Sequence, residues 1–306
     1  MQTVAGIYRL GGITLVSEIP LPELLIVQHP GDTAHQVSLR LGNVANHLPD
    51  AVEVDPYCYA NSTQYLLCVE GIARYLVTGG REILVQPDAA ALPLDVRAYL
   101  LGAIFVVLCQ QRGLLPLHAS AIAAESGVVA FLARSGQGKS TLAALLAQRG
   151  FRVIADDICL IDSTVPGTAM VVPTASWLKL WRSSLDHLGR QAEGLQRVFS
   201  DDDKYRLPLA TVFEPEPIRK LVFLEGHGVS STTTEIEAVS RLEALPLLMD
   251  LTHHSYLLEA TGQREENFRR CGRVLSQATA YRLLRPWGLE YLESTVDALE
   301  RLVLQE

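Results

Sequence analysis

The segment Ala133-Arg134-Ser135-Gly136-Gln137-Gly138-Lys139-Ser140 holds the residue types needed to grip a polyphosphate, with alanine where such a loop commonly opens on glycine. Gly136 and Gly138 let successive backbone N–H groups turn inward, and a helix starting at the loop adds free amides and its positive dipole end. Lys139 would then reach the β- and γ-phosphates of a nucleotide, and the Ser140 hydroxyl would ligate Mg²⁺. Arg134, Ser135, Gln137 and Thr141 complete the candidate nucleotide-contacting set, Arg134 as a further phosphate ligand. The chemistry this points to is binding of Mg-ATP or Mg-GTP and transfer of a phosphoryl group.

A second candidate follows the loop. Asp156-Asp157 interrupts the apolar run from Val153 to Ile161. Two unpaired buried carboxylates would be costly or would protonate, so the pair calls for a cation. The acids stand at the carboxyl end of the next strand, the edge where open α/β sheets bind ligands. Metal binding and base catalysis are the roles expected of Asp156 and Asp157, and Asp157 is set beside Ser140 as metal ligand. The alternative is a turn acid followed by a helix-cap acid. His118 enters through strand register. Folding Leu114–Ala133 as a hairpin about Glu125-Ser126 pairs residues whose numbers sum to about 251 or 252, which sets His118 opposite Ala133 or Arg134 at the loop's mouth.

The elements that must carry these residues are legible in outline. Apolar strands are predicted for Leu114–Ala124 and Val128–Ala133, a helix for Lys139–Arg149 ending at Gly150, and a strand for Phe151–Ala155. Alternating strands and helices around a glycine-rich loop predict an α/β nucleotide-binding fold for residues 113–306, with helices at Arg241–Met249, Arg264–Arg285 and Leu289–Leu304. Pro246 and Pro286 are read as local breaks. Residues 1–112 form a smaller β-rich domain of short strands and hairpins, closed by one helix from Pro93 to Arg112.

Composition narrows the classes. With 306 residues, 48% hydrophobic and 20% charged, the chain can build two folded domains. A net charge of −8 offers no basic footprint for nucleic acid or anionic lipid. The five cysteines, Cys58, Cys68, Cys109, Cys159 and Cys271, are odd in number and lack metal-ligand spacing, which fits a reducing cytoplasm. Residues 1–20 lack signal-peptide features, and the apolar run Tyr99–Cys109 is shorter than a membrane span, so no membrane partner is expected.

Leu117-His118-Ala119-Ser120, the glycine-rich loop, and Arg149-Gly150-Phe151-Arg152-Val153-Ile154-Ala155-Asp156-Asp157 together resemble the catalytic core of HPr kinase/phosphorylase. The resemblance covers residues 117–157. It implies phosphate contacts for His118 and Lys139, Mg²⁺ on Ser140 and one acid, and activation of a substrate serine by the other acid. Beyond the core, the chain is similar to shorter HPr-kinase-like proteins of bacterial peptide-modification clusters, some of which phosphorylate the terminal serine of a lasso-peptide precursor. This implies a serine kinase acting on a peptide or small protein. HPr or a small-molecule hydroxyl are alternative acceptors, and a non-catalytic nucleotide-sensing module is the alternative of another class. A homo-oligomer is compatible with each.

The remaining candidates are weaker. Lys204 and Arg206, in a segment read as turn-like, are either a solvated loop or clamps for phosphate or a peptide carboxylate. Glu225 ends an apolar strand, Leu221–Glu225, in a Walker-B-like manner. His253-His254 reads as surface, because no acid or cysteine stands at ligand spacing.

Overall fold

The computed structural model describes residues 5–29, 35–174, 176–210, 214–226 and 233–305. They divide into two compact units. The first is Met1–Leu114 with Val198–Asp201 and His254–Asn267; the second is Leu115–Arg197, Asp202–His253 and Phe268–Glu306. The chain thus returns twice to the first unit, a topology no local sequence signal marks.

The first unit is built on nine strands: β1 (Gly6–Leu10), β2 (Ile13–Ser17), β3 (Leu25–Ile26), β4 (Gln36–Leu41), β5 (Val52–Asp55), β6 (Cys58–Ala60), β7 (Gln64–Val69), β8 (Ala73–Thr78) and β9 (Glu82–Pro87). They form one sheet in the order β3-β1-β2-β4-β9-β8-β7-β6-β5. Alternation fixes its buried face: in β8, Ala73, Tyr75 and Val77 are buried while Arg74, Leu76 and Thr78 are half-buried. The helix that follows is continuous but not uniform. Between α1 (Pro93–Tyr99) and α2 (Phe105–Gln111), the turn Leu100–Ile104 is wound as a π-helix. Its span Pro93–Gln111 is long and apolar enough to cross a membrane, yet 67% of its apolar window is buried within the protein. Tyr75 donates its hydroxyl to the Val96 carbonyl at 3.0 Å, and Asp95 accepts from the Ser200 amide and hydroxyl at 2.8 and 2.7 Å.

The second unit holds β10 (Leu115–Ala124), β11 (Gly127–Leu132), β12 (Arg152–Ala155), β13 (Ile158–Asp162), β14 (Met170–Val172), β15 (Trp177–Trp181), β16 (Gln196–Arg197), β17 (Lys204–Pro208), β18 (Glu216–Gly226), β19 (Glu235–Val239) and β20 (Thr279–Arg285). Strands β11, β18 and β20 run parallel, and β10 pairs antiparallel with β11, β12 and β13. In β11 every side chain is buried, as expected of a strand covered on both faces. Val129 and Phe131 pack with α3 (Lys139–Gln148) and α8 (Leu292–Leu304). Val128, Ala130 and Leu132 pack with Ala244 and Leu248 of α5 (Arg241–Asp250) and with Cys271, Val274 and Leu275 of α7 (Arg264–Gln277). A separate three-stranded sheet, β15-β17-β16, stands beside this layered core. The short helix α4 (Arg182–His187) follows β15, and α6 (Leu257–Ala260) lies in the segment that returns to the first unit.

Three expectations need correction. The helix read over Arg264–Arg285 stops at Gln277, and Thr279–Arg285 is instead strand β20, paired along its length with β18. Thr279 and Tyr281 favour a strand, and parallel pairing to a buried neighbour outweighs the helical spacing. The segment holding Lys204 and Arg206 is no turn: it is the central strand of the small sheet, held between β15 and β16. Pro246 does not break its helix, since α5 runs through it.

Candidate active site

The hairpin Leu115–Leu132 delivers the first side chain. Ala119 pairs with Leu132 and Ala124 with Gly127, the register whose numbers sum to 251. His118, one residue before this ladder, pairs with Ile158 of β13, and its amide donates to the Leu251 carbonyl at 2.9 Å. The glycine-rich loop then follows β11. Gly136 and Gly138 take φ of 82° and 78°, left-handed conformations that glycine reaches without a Cβ penalty. Gly138 is the N-cap of α3, and no side chain caps that helix, so its first amides face outward at the loop.

The two acids meet different surroundings. Strand β12 ends at Ala155, Asp157 adopts φ 69°, and β13 begins at Ile158, so the two neighbouring carboxylates escape the alternation of a strand. Asp156 is buried and accepts three hydrogen bonds. Its Oδ1 accepts from the hydroxyls of Ser140 and Ser120, each at 2.7 Å, and its Oδ2 accepts from the Lys179 amide at 2.8 Å. Asp157 instead faces Lys179 Nζ at 2.7 Å and His118 Nδ1 at 3.5 Å. Ser140 is therefore tied to Asp156, not to the Asp157 with which the sequence reading grouped it.

Charge and burial set the protonation of the cluster. Burial alone would raise the Asp157 pKa, but Lys179, then His253 and His118, outweigh it and hold the carboxyl well below its ordinary range. Burial, reinforced by Lys139, brings His118 down to about 4, so its imidazole is neutral at pH 7. Burial likewise pulls Lys139 down to about 8, against the attraction of Asp157 and Asp156. The Lys139 ammonium donates to the carbonyls of Ala133 and Arg134 at 2.7 and 3.0 Å, folded over the loop's own mouth.

His118, Lys139, Asp157 and Lys179 share one cleft of about 270 Å³ with Ser135, Gly136, Gly138, Ser140 and Thr141, while Asp156, bonded to Ser140, is not on its wall. Lys204 lines it too. Arg206 does not: it is buried, its Nη1 donates to Gln196 Oε1 at 3.3 Å, and its guanidinium lies 5.2 Å from the Trp177 ring centroid. Arg134 points to Asp250 at 3.0 Å and is absent from the cleft wall; Gln137 takes part through its carbonyl, which accepts from Arg285 Nη2 at 2.8 Å. Glu225 is ion-paired to Arg282 at 3.0 Å and is also outside the wall.

Several residues come from outside the motifs. Lys179 sits mid-strand in β15 on the face shared by Trp177 and Trp181, while Leu178 and Leu180 are buried; its period-2 placement was the available signal. His253, read from sequence as surface, is half-buried, with its ring 4.9 Å from His118 and perpendicular to it. The amide of His253 donates to the Pro116 carbonyl at 2.8 Å, a long-range contact invisible to local spacing. Ligand atoms of His118, Asp157 and His253 lie within 4.8 Å of one another, close enough to hold a metal ion. However, Lys179 already engages Asp157, and Lys139 and Lys204 add like charge, so the cluster favours an anion over a metal cation.

No family model and no curated protein matches the chain. Among solved structures, it is similar to the Hpr(Ser) kinase/phosphatase from Coxiella burnetii, at 14% identity and a TM-score of 0.31, over 61% of this chain and 96% of that one.

Proposed function

We propose that the chain is a Mg-ATP-dependent phosphotransferase that phosphorylates a serine hydroxyl, the C-terminal serine of a lasso-peptide precursor being the acceptor class implied by the sequence resemblance. One observation carries the reading: the helix-opening Ser140 shares Asp156, while the neighbouring Asp157 faces His118 and Lys179 across the same cleft.

The buried oxygens of Asp156 and the Ser140 hydroxyl fit a hard divalent cation, and these two residues would hold Mg²⁺. Mg²⁺, when bound, neutralises charge on the β- and γ-phosphate oxygens. The loop amides and Lys139 bind and orient the polyphosphate, whose oxygens compete with the Ala133 and Arg134 carbonyls for the ammonium. His118 contacts the transferred phosphoryl group as a neutral donor. Asp157, kept ionised by Lys179, accepts the serine proton while the serine oxygen bonds to the γ-phosphorus and the bond to the β–γ bridging oxygen breaks, releasing ADP. A weakly basic carboxylate suffices, because in a loose transition state the proton moves late and orientation dominates.

The test is phosphate incorporation. Purified protein with radiolabelled Mg-ATP is offered a serine-terminated lasso precursor, HPr and free serine, with Lys139→Ala in parallel. The reading expects label on the precursor's terminal serine and none with the variant. Label on HPr or free serine alone would reassign the acceptor, and ATP binding with no transfer to any acceptor would leave a nucleotide-sensing module.

A further inference from the structure

A phosphate loop accounts for only one end of a nucleotide, and the other end is a flat base. Two large aromatics both line the cleft and stand half exposed: Trp181 at 48% and Trp287 at 51%. They differ in electrostatic surroundings. Trp181 lies under the Lys204 ammonium at 5.7 Å, and the charge of Lys204 is felt by both His118 and Lys139, which places this tryptophan beside the phosphate-handling groups. Trp287 has a different cationic neighbour. It follows β20, and the Arg285 guanidinium lies 5.1 Å from its ring centroid. Arg285 is itself buried and fixed to the Gln137 carbonyl at 2.8 Å, so the ring is tied to the loop through one side chain. Gly288, at φ 130°, turns the chain just beyond it, and Leu289 and Leu292 add apolar wall to the same cleft.

Resting on the phosphate-loop reading above, we propose that Trp287 is the stacking platform for the nucleobase, backed by Arg285 and flanked by Leu289 and Leu292. A nucleotide's base lies at the far end of its phosphates from the transferred group, so the base is assigned to Trp287, whose cationic neighbour is Arg285, rather than to Trp181 beside Lys204. A ring face offers π overlap without reading hydrogen-bonding edges, so the platform takes adenine and guanine alike.

The test measures calorimetric affinities of Mg-ATP, Mg-GTP and Mg-tripolyphosphate, which has no base. Trp287→Ala should weaken ATP and GTP binding by about tenfold or more, the size of a lost base–aromatic stack, while tripolyphosphate stays within about twofold. Trp287→Phe should keep most of the nucleotide affinity, which separates stacking from a folding defect. Unchanged ATP binding by Trp287→Ala, an equal loss for tripolyphosphate, or the same split appearing in Trp181→Ala instead would overturn the assignment and leave the phosphate loop standing. Wild-type protein that binds neither tripolyphosphate nor nucleotide would overturn both.

Discussion

Adjacent in sequence, Asp156 and Asp157 are separated in chemistry by one backbone angle. The left-handed φ of Asp157 sends its carboxylate toward Lys179 and His118, while Asp156 stays under Ser120 and Ser140. Substituting them should therefore have separable consequences. Asp157→Asn is expected to lower kcat about 10²-fold or more with nucleotide affinity retained, and Asp156→Asn to raise the Mg²⁺ concentration needed for half-maximal rate. Steady-state kinetics across a Mg²⁺ series distinguishes the two, and interchangeable variants would refute the division. Lys139 supplies a pH test. Its pKa, pulled down to about 8 by burial, means that the ammonium needed for phosphate binding is lost as pH rises through that value. Apparent Kd for Mg-ATP should be level below about pH 8 and rise about tenfold per pH unit above it. Lys139→Arg, which stays charged, should remove the break even if its affinity is lower throughout.

At the scale of elements, the loop works because β11 and α3 meet at two glycines with different constraints. A Cβ on Gly138 would lie 2.8 Å from Arg285 Nη2, whereas one on Gly136 would meet nothing within 4 Å. Both alanine variants carry the left-handed strain of about 1–2 kcal/mol. Only Gly138→Ala should also push the buried Arg285 off the Gln137 carbonyl, so it should lose more stability in urea denaturation than Gly136→Ala and more ATP affinity. The same contrast explains what the sequence could reveal. The loop, its helix, the hairpin that places His118 and the acidic pair all lie within Leu115–Asp157, where spacing and register suffice. Lys179, His253 and Trp287 arrive from three distant segments, and pairings such as His253 N to Pro116 O are set by tertiary packing rather than by a pattern in the chain. Strand β20 was misread for a related reason: Thr279–Arg285 is strand because β18 offers it seven paired positions, not because its own spacing excludes a helix.

For the whole molecule, the division into units matters more than a cut at residue 112 or 114 would suggest. Residues 254–267 belong to the first unit and include Leu257 and Leu258, which are 0% and 6% exposed. A fragment of residues 115–306 should therefore carry these two leucines uncovered, forfeiting about 1.5–3 kcal/mol for each. It is expected to melt at lower temperature than the full chain and to bind a hydrophobic dye, whereas a dye-silent fragment with an unchanged melting temperature would show that residues 254–267 need no partner. The route of the chain also imposes an order on its birth. A ribosome that has released Leu114 has delivered every strand of the nine-stranded sheet but not the segment His254–Asn267 that completes that unit. At translation rates of about 5–20 residues per second, the early unit waits about 8–30 s for its last piece, incomplete while the phosphate loop and its sheet are still being synthesised.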